Sequence, residues 1–322
     1  MLFFRLLVAS VTIFCFTSLV LEAAELPNDE VEGLREIGKT LGKKDWNINV
    51  DSCSNKSGWG KPESIQDNNI TCDCGTICHV TFISLKSQNL QGMLPTDLSK
   101  LPYLKGIDLT RNYLNGTIPS TWGSTRLEVI VVGTNQLSGE LPQELGNLNN
   151  ITRMLLSSNN FSGQLPETFA KLTTLEDFRI GDNHFTGEIP SLIQNWTHLT
   201  KLVIQASGLS GPIPSGISLL TNMIDLRISD LSNGTEISFP PLSNLKNLTK
   251  LILRSCNIVG QLPPYLGQFT KLTSTLDLSF NKLTGPIPSS FSSLSKTDFI
   301  YFTGNMLSGT VPDWIIRNGN SM

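Results

Sequence analysis

Residues 151–166 read ITRMLLSSNNFSGQLP. Met154 and Leu156 flank Leu155 in the period of two that marks a short strand, so Met154 and Leu156 share one side and Arg153 and Leu155 share the other. Two asparagines follow, then Phe161, Gly163 and a Leu-Pro pair. A chain that turns at the end of a buried strand leaves backbone groups without partners. An inward Asn amide, with two donors and an acceptor, can satisfy them. Asn159 is therefore expected inside, and Asn160, which opens the glycosylation sequon Asn160-Phe161-Ser162, is expected to face water.

The same string recurs along the chain. Aliphatic- or Phe-Pro pairs place prolines at 95, 119, 142, 166, 190, 214, 240, 263, 288 and 312, which gives ten units of about 24 residues. A period of this length is the signature of a solenoid, in which each unit buries its apolar side against its neighbours. The shared pattern is L-x-x-L-x-L-x-x-N-x-L-x-G-x-I-P, plain also in LKGIDLTRNYLNGTIP at 104–119. It resembles the plant extracellular leucine-rich repeat over residues 80–317. The fold class implied is an α/β solenoid, a right-handed leucine-rich-repeat superhelix of about ten plant-type repeats with a disulfide-bonded N-terminal cap.

Within that register the buried Asn position holds Asn112, Asn135, Asn159, Asn183, Asn281 and Asn305, while Gln88, Ser207, Leu231 and Cys256 depart from it. Cys256 reads as a buried free thiol. A Gly four residues later, as in Gly163, suits positive φ or close backbone approach, and the Pro sets a rigid extended bend. The seventh unit, LRISDLSNGTEISFPPLSNL, lacks both Asn and regular Gly and is stretched to 26 residues, so a local kink or loop is expected there.

The N-terminus carries one early cation, Arg5, an uncharged apolar run from Leu6 to Leu21, and small residues at Ala23 and Ala24, which reads as a secretory signal peptide over 1–24. Residues 25–79 are expected to form the cap, 80–317 the solenoid and 318–322 a tail. In the cap, Val31, Leu34, Ile37 and Leu41 have helical spacing within DEVEGLREIGKTL at 29–41, with acidic residues at its start. Cys53, Cys72, Cys74 and Cys78 read as two disulfides rather than a zinc site with His79, because the spacing is irregular and the compartment oxidising. A Cys72 to Cys74 bridge is disfavoured by geometry. Cys53 to Cys72 with Cys74 to Cys78 is preferred over Cys53 to Cys74 with Cys72 to Cys78. Eight sequons, at Asn55, Asn69, Asn115, Asn150, Asn160, Asn195, Asn233 and Asn247, fit a glycosylated extracellular surface.

Net charge is −3 and is unchanged by removal of residues 1–24, which suggests neither nucleic acid nor an acidic membrane surface as partner. The three histidines, His79, His184 and His198, form no recognisable triad with serine, cysteine and acid, and the glycines follow the repeat period rather than a phosphate-binding loop. A binding module without cofactor or metal is expected, not an enzyme.

Binding belongs on the outward positions of the strands. The first row runs Phe82, Gly106, Val129, Arg153, Asp177, Lys201, Asp225, Lys250, Thr275, Phe299, and the second Ser84, Asp108, Val131, Leu155, Arg179, Val203, Arg227, Ile252, Asp277, Tyr301. Val131, Leu155, Val203 and Ile252 are apolar where water is expected, beside Arg153, Arg179, Arg227 and Arg254 and with Asp177, Lys201 and Asp225 among them. This mixed strip of units four to eight, ~20 Å long at the ~4.8 Å strand spacing, suits an extended peptide bearing carboxylates or an oligosaccharide. The competing expectation is that Asp177 with Arg179 and Asp225 with Arg227 neutralise one another.

The wording of the cap, the TCDC and CHVT junction and the closing VPDWIIRNGN resemble a subgroup of plant leucine-rich-repeat receptor-like serine/threonine kinases in which a malectin-like domain, a membrane helix and a kinase follow the repeats. That resemblance implies a receptor ectodomain at the plasma membrane, present here as a fragment or short isoform, whose partners are an extracellular peptide or glycan, or a co-receptor ectodomain. The alternative is a free secreted recognition protein similar to the polygalacturonase-inhibiting proteins. Those have a cysteine-bearing C-terminal cap, which this sequence lacks.

Overall fold

A computed structural model describes residues 24–53, 68–232 and 235–317. The signal-peptide reading over residues 1–23, the sequons at Asn55 and Asn233, and the tail all fall outside the described residues.

Helix α1, Asn28–Leu41, opens with Asp29 and Glu30 and stops at Gly42, whose φ of 77° closes the last turn. Val31, Leu34, Ile37 and Leu41 line its buried face, each at most 3% exposed. Glu30 is 2% exposed and turned into the cap, where it accepts a hydrogen bond from the Val80 amide at 2.8 Å and lies 2.5 Å from His79 Nδ1. Helix and first repeat are thereby joined. Disulfides link Cys53 to Cys72 and Cys74 to Cys78, the second closing the hairpin between the antiparallel strands Asn68–Cys74 and Cys78–Leu85.

From that hairpin an 11-stranded sheet runs the length of the solenoid, one strand per coil and parallel after the first pair. The register aligns Ile107, Ile130, Met154, Phe178, Leu202, Leu226, Leu251 and Leu276, all 0% exposed, as one inward column. Each repeat Pro from 119 to 214, and again at 263 and 288, sits extended immediately before a short 3-10 helix, so the layer opposite the sheet consists of tight helical turns. Coil seven, the stretched unit, has no such helix among its described residues between its strand and that of coil eight.

The asparagine ladder forms as a bonded column. Asn159 Nδ2 donates to the Leu156 carbonyl of its own coil and to the Val132 carbonyl of the coil before, both at 3.0 Å, and its Oδ1 accepts from the Leu137 amide at 3.0 Å. Asn112, Asn135, Asn183, Asn281 and Asn305 repeat the arrangement. At the departures, the Cys256 thiol donates to the Arg254 and Ile228 carbonyls at 3.2 and 3.4 Å, and Ser207 Oγ accepts from the Leu209 amide at 3.3 Å. Gly163 has φ of 74°, as expected for its slot, whereas Gly211 does not take positive φ.

Candidate functional site

The sheet's outward rows form one continuous surface along the solenoid, because every coil contributes one strand to them. Register places Val131, Leu155, Arg179, Val203, Arg227 and Ile252 side by side in one row, and Arg153, Asp177, Lys201, Asp225 and Lys250 in the other. All eleven residues expected from the sequence thus lie on one face, Arg254 completing the third outward position of the coil-eight strand.

Their chemistry follows the competing expectation, in which Asp177 pairs with Arg179 and Asp225 with Arg227. Arg179 donates through Nε and Nη2 to both oxygens of Asp177 at 2.7 and 2.5 Å, and Arg227 grips Asp225 in the same way at 2.8 and 2.7 Å. Lys201 reaches across one strand to Asp225 Oδ2 at 2.8 Å. Bidentate guanidinium contacts of this kind fix geometry as well as charge. Burial pushes the Asp225 carboxyl up, but hydrogen bonds from Arg227 and Lys201 outweigh it and hold the group below the usual carboxylate range. The bond to Asp225 in turn raises Arg227.

Val131, Leu155 and Val203 point outward yet are only 8, 9 and 9% exposed. Strands one spacing apart let the neighbouring stems lie over these short side chains. What remains open are cations without an ion pair among the described residues: exposed Arg153 at one flank, with Lys250 and Arg254 at the other.

The largest open apolar area on this face lies further along than the expected strip. Phe299 and Tyr301, 49 and 43% exposed, hold parallel rings with centroids 6.3 Å apart, and the Arg254 guanidinium lies over the half-exposed Phe280 ring at 4.7 Å. Phe299 and Tyr301 occupy the two outward rows, so aromatic side chains at those positions were the signal that pointed here. Phe280 carried none, because it stands in the turn just before the ladder slot. That turn position has positive φ in all ten coils, with non-glycine residues at Ser87, Arg111, Thr134, Ser158, Asp182, Ala206, Asp230, Ser255 and Phe280 and Gly304 in the last.

Sequons distribute unevenly about the solenoid. Asn115 and Asn160 open short strands beyond the ladder turn, Asn195 ends a 3-10 helix, and Asn150 and Asn247 precede the next strand. Among the described sequons only Asn69 stands on the main sheet, in its first strand and opposite Ser84.

The Leucine Rich Repeat family matches residues 150–172, 247–269 and 273–294. The chain is a leucine-rich-repeat solenoid and is similar to plant proteins built from such repeats. A relative described as a probable leucine-rich repeat receptor-like serine/threonine-protein kinase of Arabidopsis thaliana is 51% identical over 97% of this chain and 33% of its own length. Among solved structures, the leucine-rich-repeat ectodomain of the Arabidopsis thaliana receptor kinase GASSHO1/SCHENGEN3, in complex with CASPARIAN STRIP INTEGRITY FACTOR 2, is 31% identical with a TM-score of 0.65, covering 71% of this chain and 27% of that one. The plant peptide hormone receptor RGFR1 in complex with RGF2 is 34% identical with a TM-score of 0.64, covering 71% and 36%. This leucine-rich-repeat chain spans about one third of the length of the curated relatives that it matches over most of its own. Among the described residues no helix is long and apolar enough to cross a membrane.

Proposed function

We propose that this chain is the extracellular recognition part of a cell-surface receptor-like kinase, and that its outward sheet rows receive an extracellular peptide or a partner ectodomain. The observation that carries this reading is the uneven dressing of the surface. Five described sequons lie off the outward rows and the sixth stands at the sheet's edge, so glycans would clothe the other faces and leave these rows open. The relatives and solved neighbours support the same role: the former are named as receptor-like kinases and two of the latter are receptors in complex with a peptide hormone or integrity factor. We assign residues 1–24 to a signal peptide, 25–79 to the cap and 80–317 to the repeats, with the parent protein at the plasma membrane and of the subgroup carrying a malectin-like domain. The ligand contacts fall on Arg153, Lys250 and Arg254, which have no ion pair among the described residues and suit carboxylates, and on the shallow apolar steps between them.

The test is retention of extracellular peptides by chain secreted from a eukaryotic host. Arg153→Glu combined with Arg254→Glu should weaken the retained peptide about tenfold or more, since each replaces an attractive charge with a repulsive one, while Lys171→Glu on the opposite layer should not. Equal retention by both variants would remove the outward rows from the site, and capture of a polysaccharide-degrading enzyme instead would favour a secreted inhibitor.

A further inference from the structure

Six residues after the repeat Pro, seven coils carry a buried apolar side chain in the layer opposite the sheet: Leu101, Leu148, Leu172, Trp196, Leu220, Phe269 and Leu294 are at most 3% exposed. Coil seven uses Leu245, one residue earlier and 0% exposed. Coil two departs. Its slot holds Thr125, which follows the 3-10 helix Ser120–Ser124, is only half-buried, and turns its hydroxyl back to the Trp122 carbonyl at 2.7 Å.

The missing side chain leaves a cavity of about 470 Å³ between coils one and two. Leu98, Leu101 and Leu104 form its apolar wall, and Thr125 and Arg126 line the coil-two side. Arg126 is exposed and has no ion pair among the described residues. Asp97, also at the rim, is tied to its own loop by Ser99, whose side chain and, at 2.8 Å, whose amide donate to it and hold its carboxyl below the usual range. The volume lies within the ~300–1,000 Å³ typical of small-molecule sites, which pair an apolar lining with a few polar groups that set orientation.

We propose that this cavity is a binding site for a small amphipathic anion, whose apolar ring or branched body takes the place of the absent coil-two side chain and whose carboxylate or sulfonate meets Arg126. The site is on the layer opposite the outward sheet rows and is separate from any ligand held there. Filling it would join coil one to coil two across the gap at Thr125.

The probe is 1-anilinonaphthalene-8-sulfonate, which carries an apolar ring system and one sulfonate, titrated by calorimetry into the intact glycosylated chain. The expected result is a saturable component of one molecule per chain. Thr125→Leu or Thr125→Phe, which restores the side chain used by the other coils, should weaken that component about tenfold or abolish it while leaving or raising the melting temperature, because filling a cavity does not cost packing. Arg126→Gln should weaken it about fivefold through loss of one charge-assisted contact, and Phe299→Ser, at the exposed aromatic pair of coil ten, should leave it unchanged. Saturable binding that survives Thr125→Phe, or that disappears with Phe299→Ser, overturns the assignment.

Discussion

Coils two to five and coils six to eight solve the same turn in two ways. In the first group Asn112, Asn135, Asn159 and Asn183 collect the carbonyls at the strand ends, main-sheet strands are three residues long, and a second sheet of short strands runs without interruption beside them. In the second group the ladder slot holds Ser207, Leu231 and Cys256, the main-sheet strands lengthen to five residues, and the second sheet is broken at coil six, where isolated bridges at Ser210 replace a strand. The two changes have one cause. A buried carbonyl needs a partner, and if no side-chain amide supplies it, the neighbouring strand's backbone must. Register from Lys201–Gln205 through Lys250–Arg254 accordingly continues for two more residues per strand. Three side chains per strand thus project outward there, which is how Arg254 reaches the surface beside Ile252. The part of the solenoid that gave up its ladder is also the part with the widest outward face.

The largest effect should come from breaking the ladder where it exists. Asn159→Ala leaves the Leu137 amide without its acceptor and takes one of two ladder donors from the Val132 and Leu156 carbonyls, and should cost ~1 to 3 kcal/mol, whereas Ser207→Ala, which removes one 3.3 Å bond, should cost less than about 1 kcal/mol. Denaturant unfolding of the two variants checks this, and equal losses would mean that the two groups of coils do not differ in what holds their turns.

A smaller effect tests the charges of the second group. Asp225→Asn removes the negative charge shared by Arg227 and Lys201, together with one of the two acceptor oxygens, and should cost about 1 kcal/mol at neutral pH. Because the folded carboxyl lies below its usual range, its stabilisation is present above that range and is lost as pH falls through the folded value. The difference between wild type and Asp225→Asn should therefore shrink to nothing in strong acid. A gap that stays constant from neutral pH to acid would show that the cluster holds its place by packing alone.

Cys256 gives a yes-or-no comparison at no cost in stability. Burial pushes its thiol well above the ordinary range and leaves it 2% exposed, so it should not react with a disulfide reagent until the protein unfolds. Rapid labelling of native protein would place coil eight among locally opening segments. The smallest effect is at Asn160, which is exposed beside buried Asn159. Asn160→Gln should remove one glycan from the intact mass and leave the unfolding free energy within about half a kcal/mol of wild type.

Much of this was legible because the code repeats. Parity along each strand told Met154 from Leu155, and the period told Asn159 from Asn160. The same parity put Val131 and Leu155 on the outward face but said nothing of how far Arg and Asp stems would cover them. Likewise Thr125 looks unremarkable among surface threonines until its column is known to be Leu, Trp or Phe in the other coils. The turn residues from Arg111 to Phe280 share a left-handed backbone without sharing a side-chain type, so no local pattern announced them.

The sequence by itself determined the solenoid, its period, which side chains face inward, the ladder and its departures, and the cysteines of the cap, because each depends on spacing within one unit of about 24 residues. The tertiary structure decided what one unit does to the next. Lys201 shares Asp225 with Arg227, Arg254 settles on Phe280, strands lengthen beside missing asparagines, and a space opens where Thr125 fails to reach Leu101. Those outcomes join atoms about one repeat apart in sequence but one strand spacing apart in space. Side-chain length and direction, set only once the coils are stacked, choose among them.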